Sequence, residues 1–373
     1  MRHSFREHHL FSILNSFAPR GLPLDVYMSQ YFRAHTAVGS KDRKWISDTV
    51  YGMTRWRGLL DYFCVDTPSW EKRYQLYLQM HTLNTEALPP HIRVSFPKIY
   101  FQQLEKHYGE KIASSLCLVS NEQAPVTLRV NTLKISREEL FQKWKDQYSI
   151  SYCPTSDVGL VFQHKLNFFA MEEFKNGLFE IQDEGSQRVA ALVGAKPGDH
   201  ILDYCAGSGG KTLAFAPATQ GKGQIYLHDI RRQALEEAKK RLKRAGVQNA
   251  QIFYPDDPKT SLLKKKMDWV LVDAPCSGSG TLRRNPDMKW KFELEMIPRL
   301  ASEQREIFKK ALEFLKDDGK IVYATCSVFP EENQDQIRYF QETFNLSLAG
   351  DLFFTFPQSK GMDGFFGAIL KKN

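Results

Sequence analysis

Cys205-Ala-Gly-Ser-Gly-Gly-Lys-Thr212 follows a run of strand-forming residues, 201–205, and opens a helix; this junction decides the fold. Glycines at a strand-to-helix turn let a ligand meet backbone amides where no side chain blocks the approach. Two familiar nucleotide motifs fail here. A Walker A loop needs Gly where Cys205 stands, and a Rossmann dinucleotide turn starting at Gly207 needs a small residue in place of Thr212. Outward from the turn, strand-like runs at 201–205, 224–229, 250–254, 269–274 and 320–326 alternate with amphipathic helices. Ala234, Leu235, Ala238, Leu242 and Ala245 form one helical face ended by Gly246. Leu300, Ile307, Phe308, Ala311, Leu312 and Leu315 form another, ended by Gly319. The alternation predicts parallel strands joined by crossover helices, an α/β fold.

The whole 373-residue chain has ordinary globular composition, with 42% hydrophobic and 25% charged residues, and is neither disordered nor fibrous. Its length suggests two to three domains. Lys and Arg number 51 against 43 Asp and Glu, a net charge of +8 that favours a polyanionic partner. No apolar run approaches the ~18 residues that span a bilayer, and the start lacks a secretory signal, so the protein is expected in the cytoplasm, away from membranes. Cys64, Cys117, Cys153, Cys205, Cys276 and Cys326 form no Cys-x-x-Cys pair and no zinc-spaced cluster. Neither a disulfide scaffold nor a metal site is expected.

Residues 1–90 read as helical. There Arg33, Lys41, Arg43, Lys44, Arg55 and Arg57 recur beside Tyr31, Phe32, Trp45 and Trp56, a pairing that suits RNA and equally suits a solvated face over core aromatics. Pro89, Pro90 and Pro97 mark a linker over 86–97. Residues 96–175 mix strand candidates at 126–130 and 159–162 with a capping-box helix from Ser136, which predicts a small α+β module. Residues 176–373 carry the alternating pattern.

Asp229, ending the second strand about 20 residues beyond the turn, suits the two hydroxyls of an adenosine ribose. Asp256, or equally Asp257, suits the adenine amino group. A ligand with a ribose to hold and no pyrophosphate to cradle is S-adenosylmethionine. At the ends of the fourth and fifth strands stand Cys276, in Asp-Ala-Pro-Cys-Ser-Gly-Ser-Gly, and Cys326, in Thr-Cys-Ser. If those strands are neighbours, both thiols reach one small substrate. Cytosine carbon-5 is too electron-poor to attack a methyl donor, whereas a thiolate added at carbon-6 makes carbon-5 nucleophilic. Asp273, protonated or sharing a proton, is placed to meet the charge developing at ring nitrogen-3. A methyltransferase acting on an exocyclic amine needs no thiol.

Gln182-Asp-Glu-Gly-Ser, Asp203-Tyr-Cys-Ala-Gly-Ser-Gly-Gly-Lys-Thr, Asp273-Ala-Pro-Cys-Ser-Gly-Ser-Gly, Arg283-Arg-Asn-Pro-Asp-Met-Lys-Trp, Thr325-Cys-Ser and Gly361-Met-Asp-Gly-Phe-Phe resemble the bacterial Sun/Fmu-type (RsmB-like) RNA 5-methylcytosine methyltransferases, relatives of the Nop and NSun proteins. The resemblance implies a class I S-adenosylmethionine-dependent (Rossmann-like) domain preceded by a helical, partly NusB-like region and a small RNA-binding module. It implies Cys326 as nucleophile and Cys276 as the thiol that assists release. It also implies a cofactor pocket of Cys205, Ala206, Gly207, Ser208, Gly209, Gly210, Lys211, Asp229, Asp256 and Asp273, with Lys211 orienting Asp273 or the substrate. Arg129, Asn131, Arg283, Arg284 and Lys289 would touch RNA. Small-subunit ribosomal RNA is the expected substrate of a monomeric enzyme. The alternatives are the same chemistry on tRNA or another RNA, and a non-catalytic RNA-binding assembly factor.

Overall fold

A computed structural model describes residues 3–18, 21–164, 166–254 and 257–373. The chain divides into two compact units. One is Met1–Gln123 with Thr281–Met296, the other Ala124–Gly280 with Ile297–Asn373.

The first unit is helical, as its periodicity predicts: Phe5–Ser16, Leu24–Ala34, Ser40–Phe63, Trp70–Leu78 and Lys98–Ser120 are its main helices. Leu10, Ile13, Leu14, Ile46, Val50 and Met53 make its core, with Tyr31, Phe32 and Trp45 packed against it. Arg43 donates to the Val38 carbonyl at 2.7 Å and lies over the Phe32 ring. For those aromatics the core reading holds. The expected linker over 86–97 is instead built into this unit: Pro90–Arg93 forms a helical turn and Pro97 precedes the helix Lys98–Ser120, proline being tolerated where an amide has no helical partner. Packing places the boundary after Gln123 and returns Thr281–Met296 to the helices.

The second unit holds two sheets. Strands β1 (Val126–Val130), β2 (Ile150–Tyr152), β3 (Gly159–Phe162) and β4 (Phe179–Ile181) form an antiparallel sheet in the order β2-β3-β1-β4. The helix Arg137–Trp144, capped reciprocally by Ser136 and Glu139 as expected, buries Leu140 and Trp144 beside it.

The larger sheet contains β5 (His200–Asp203), β6 (Gln224–His228), β7 (Ala250–Phe253), β8 (Met267–Asp273), β9 (Leu315–Thr325), β10 (Leu346–Leu348), β11 (Phe353–Thr355) and β12 (Phe365–Lys372). Its order is β10-β12-β9-β8-β5-β6-β7, with β11 on β12. The pairs among β5 to β9 are parallel, and β12 lies antiparallel to β9. Crossovers from β5 run both ways, so the chain reverses strand order there, and the crevice beyond the carboxyl ends is where an open α/β sheet binds ligands. The helix Arg232–Ala245 buries Leu235, Ala238, Leu242 and Ala245 and stops at Gly246, as expected. The helix before β9 differs from expectation. It ends at Leu312, and Leu315 begins the strand, because β9 continues past an irregularity in its pairing with β8 and covers Met267. Among the described residues, no helix is long and apolar enough to cross a membrane.

Candidate active site

The glycine-rich turn leaves β5 at Asp203 and enters the short helix Thr212–Phe215. Gly207 and Gly209 hold φ of 53° and 77°, left-handed geometry that a side chain would strain. The turn thereby folds under a cavity of about 630 Å³, a size suited to a small-molecule cofactor. Cys205, Ala206, Gly207, Ser208, Gly210, Lys211, Asp229 and Asp273 line it, together with Gln182, Ser186, His228, Ile230 and Arg231, which the motif reading did not assign. Gly209 shapes the turn without lining the cavity. Asp256 lies outside the described residues, and Asp257 is not among the lining residues.

Two carboxylates mark opposite demands in this cavity. Asp229 accepts the Gly207 backbone N–H at 2.8 Å and the backbone and side-chain N–H groups of Arg231 at 2.8 to 2.9 Å. Burial works against its charge, but those donors outweigh burial and lower its pKa. The Arg231 side chain is 67% exposed, so the ribose hydroxyls can take its place at small cost. Asp203 is 1% exposed; its Oδ2 accepts from the Thr212 hydroxyl at 2.7 Å, while its buried Oδ1 has no hydrogen-bond partner. An orphaned buried oxygen lining an open cavity is what a polar ligand would satisfy. With the acidic Asp229 and the glycine-rich turn that lines the cavity, this set of groups fits S-adenosylmethionine.

Burial pushes the Asp203 pKa up to about 7, with the neighbouring Asp273 adding to it. A carboxyl raised in the folded state favours folding fully below its unfolded value near 4, and that contribution is lost as the pH rises to about 7. Between those values the wild type should lose about 1.4 kcal/mol per pH unit that Asp203→Asn keeps, with no further divergence above 7. Urea unfolding of both proteins at pH 4.5, 6 and 8 measures the gap; a constant gap would mean that Asp203 is ionised throughout.

At the carboxyl ends of β8 and β9, Cys276 Sγ and Cys326 Sγ stand 3.3 Å apart. Adjacent parallel strands place them there, as the sequence anticipates, and both thiols are free. Gly280 N–H donates to the Cys326 carbonyl at 2.9 Å; a Cβ on Gly280 would lie 2.2 Å from the Gly364 carbonyl oxygen, so only glycine allows this approach. Lys211 Nζ meets Asp273 Oδ2 at 2.5 Å. Burial disfavours the Lys211 charge, but the attraction of Asp273 outweighs it and raises the lysine pKa, so Lys211 holds the proton of this hydrogen bond. The hydrogen bond from Cys276 lowers the Cys326 pKa, helped by Lys211, against burial and Asp273. The same bond, burial and the Cys326 charge raise Cys276 well above the usual thiol range. Of the two, Cys326 is the more readily ionised, and Cys276 the one that keeps its proton longer.

The residues expected at RNA need correction. Arg129 is buried, donating to Gln182 Oε1 and the Leu213 carbonyl at 2.6 Å each, and Asn131 spends its amide on the carbonyls of Gly177 and Ala245 at 2.8 Å. Arg129 thus braces the glycine-rich turn through Gln182, whose amide reaches the Gly210 carbonyl at 3.3 Å. Lys289, 1% exposed, places its ammonium on the carbonyls of Arg55 and Ser95 and on Asn121 Oδ1 at 2.7 to 2.8 Å, over the Phe96 ring. Three internal acceptors leave that cation none of its donors for a phosphate. Arg283 is likewise buried, and of this group only Arg284 keeps partial exposure. Motif position could not reveal this, because a lysine reads alike whether its head is solvated or enclosed.

The chain matches the family described as 16S rRNA methyltransferase RsmB/F over residues 190–371 and the RsmF/B-like methyltransferase ferredoxin-like domain over residues 96–168. Ribosomal RNA small subunit methyltransferase B of Proteus mirabilis (strain HI4320) is 32% identical over 291 residues, covering 75% of this chain and 66% of that protein. The protein of the same name from Escherichia coli O6:K15:H31 (strain 536 / UPEC) is 33% identical over 314 residues, covering 80% and 71%. The chain thus spans about two thirds of the length of such relatives. A solved methyltransferase homolog protein from Pyrococcus horikoshii superposes with a TM-score of 0.67 at 27% identity, over 78% of this chain and all of that one.

Proposed function

The chain belongs to the RsmB/F family of 16S rRNA methyltransferases, and from that premise we propose that it methylates carbon-5 of a cytosine in small-subunit ribosomal RNA, as a monomer, through a covalent adduct on Cys326. The observation that carries this reading is the thiol pair, 3.3 Å apart, beside the Lys211–Asp273 pair that lines the cofactor cavity.

Each group has a step. The Cys326 thiolate adds to carbon-6 of the ring. Lys211, held in place by Asp273, offers its N–H to nitrogen-3, where negative charge develops during addition. Gly207 and its neighbours in the turn, Asp203 and Asp229 would hold S-adenosylmethionine, the cofactor of this family, which supplies an electrophilic methyl group when bound. Cys276, having released its thiol proton to solvent once the Cys326 charge is consumed, then takes the carbon-5 proton, and the electrons of that bond restore the ring as the Cys326 sulfur leaves. A base reached in this way must be turned out of its stack, which an accessible or mispaired nucleotide allows most readily.

Incubating the protein with methyl-labelled cofactor and either small-subunit ribosomal RNA or tRNA, then mapping the label, tests the proposal. Label at carbon-5 of a ribosomal cytosine is expected. Label in tRNA alone would transfer the same chemistry to another substrate, and absence of both label and cofactor binding by calorimetry would leave an assembly factor.

A further inference from the structure

Each cysteine of the pair is followed by a serine, and both serines reach one buried carboxylate that the catalytic steps do not use. Glu332 is fully buried. Its Oε1 accepts from the Ser277 backbone N–H at 2.9 Å and from Gln304 Nε2 at 3.0 Å. Its Oε2 accepts from the hydroxyls of Ser277 at 2.6 Å and Ser327 at 2.5 Å. All four donors are neutral. Gln304 also donates to the Pro275 carbonyl at 3.0 Å, one residue before Cys276. The Tyr323 hydroxyl, on β9, donates to the Glu332 carbonyl at 2.8 Å. Enclosing a carboxylate without a counter-cation is expensive, and an apolar side chain would fill the space at less cost. What the charge supplies is direction: one point to which hydroxyls from both cysteine loops must turn.

We propose that Glu332 is a positioning residue that holds the Cys276 and Cys326 loops in register, so that the second sulfur stays within reach of the adduct formed on the first. The purpose of this register rests on the methyltransferase reading; the geometry does not. With the tie cut, Cys326 keeps Lys211 nearby and still attacks, whereas Cys276 drifts from the place where it must collect the proton.

Two measurements test the proposal on the full chain. In the first, diamide oxidises the thiols, taking up their two hydrogens and leaving a disulfide, and mass spectrometry follows the Cys276–Cys326 cross-link with time. Glu332→Gln keeps the volume but faces the hydroxyls with an amide, and should slow the cross-link about tenfold, the scale of one charge-assisted hydrogen bond. Ser327→Ala should slow it in the same direction and serves where Glu332→Gln fails to fold. Cross-linking at the wild-type rate in the folded variants overturns the proposal. In the second, Glu332→Gln should form the protein–RNA adduct at the wild-type rate in a single turnover yet lower kcat about tenfold, with KM for RNA unchanged. Adduct formation and kcat falling together would indicate a merely structural role and overturn it. If the wild type transfers no methyl group while the cross-linking rates still separate, the functional reading fails and the positioning role stands.

Discussion

Cys326→Ala should lower methyl transfer by roughly 10³-fold or more, a loss of about 4 kcal/mol or more of transition-state stabilisation, because no other group can make carbon-5 of the ring nucleophilic. The loss should appear entirely in chemistry. Cys326 does not line the cofactor cavity, so calorimetry should give wild-type cofactor affinity in the variant. Its distinction from Cys276 is local: the hydrogen bond from Cys276 favours its ionised form and Lys211 helps, against burial and Asp273. The thiolate is the attacking species, so wild-type adduct formation should rise with pH through a value below that of an ordinary thiol, and iodoacetamide should alkylate Cys326 before Cys276. Normal turnover by Cys326→Ala, or alkylation of Cys276 first, would reverse the assignment.

Much of the catalytic sheet was legible because its signals are local. Gly207 and Gly209 announce a turn that only glycine makes easily, and β5, β6, β7, β8 and β9 each read as a short apolar run between helices of 3.6 periodicity. Both thiols could be placed together from one assumption, that the strands carrying them are neighbours, which the parallel pairing of β8 and β9 satisfies. The antiparallel β10, β11 and β12 were not read, because a strand covering a sheet edge has no crossover helix to announce it. Leu315 continues the helical spacing yet opens β9, because an apolar residue at the right spacing fits either element until pairing decides. Lys289 is charged, and charge in a loop argues for solvent; only tertiary structure shows the carbonyls that enclose it, just as only tertiary structure brings Glu332, which no motif marks, under the two serine hydroxyls. Arg129, which the resemblance offers as an RNA contact, lies on β1 and instead supports the turn on which the cofactor would lie.

Cys276→Ala should arrest the enzyme after methyl transfer and accumulate a protein–RNA complex that survives denaturing electrophoresis. The charge balance within the thiol pair explains why one sulfur can serve first as proton holder and then as base. Before attack, the hydrogen bond to Cys326 and the negative charge there keep the proton on Cys276. Once the Cys326 sulfur bonds to carbon-6, its charge is gone and its lone pairs accept poorly, so two of the influences that raised the Cys276 pKa disappear together. Cys276, whose sulfur lies 3.3 Å from the other, can then give its proton to solvent and, as the thiolate, accept the proton from carbon-5, which must leave before the ring can expel Cys326. Alanine at 276 removes that base and leaves the adduct intact. The Cys276→Ala, Cys326→Ala double variant should form none, since the bond to carbon-6 is never made. A complex that persists in Cys326→Ala and vanishes in Cys276→Ala would exchange the two roles, and with them the order in which the sulfurs lose their protons.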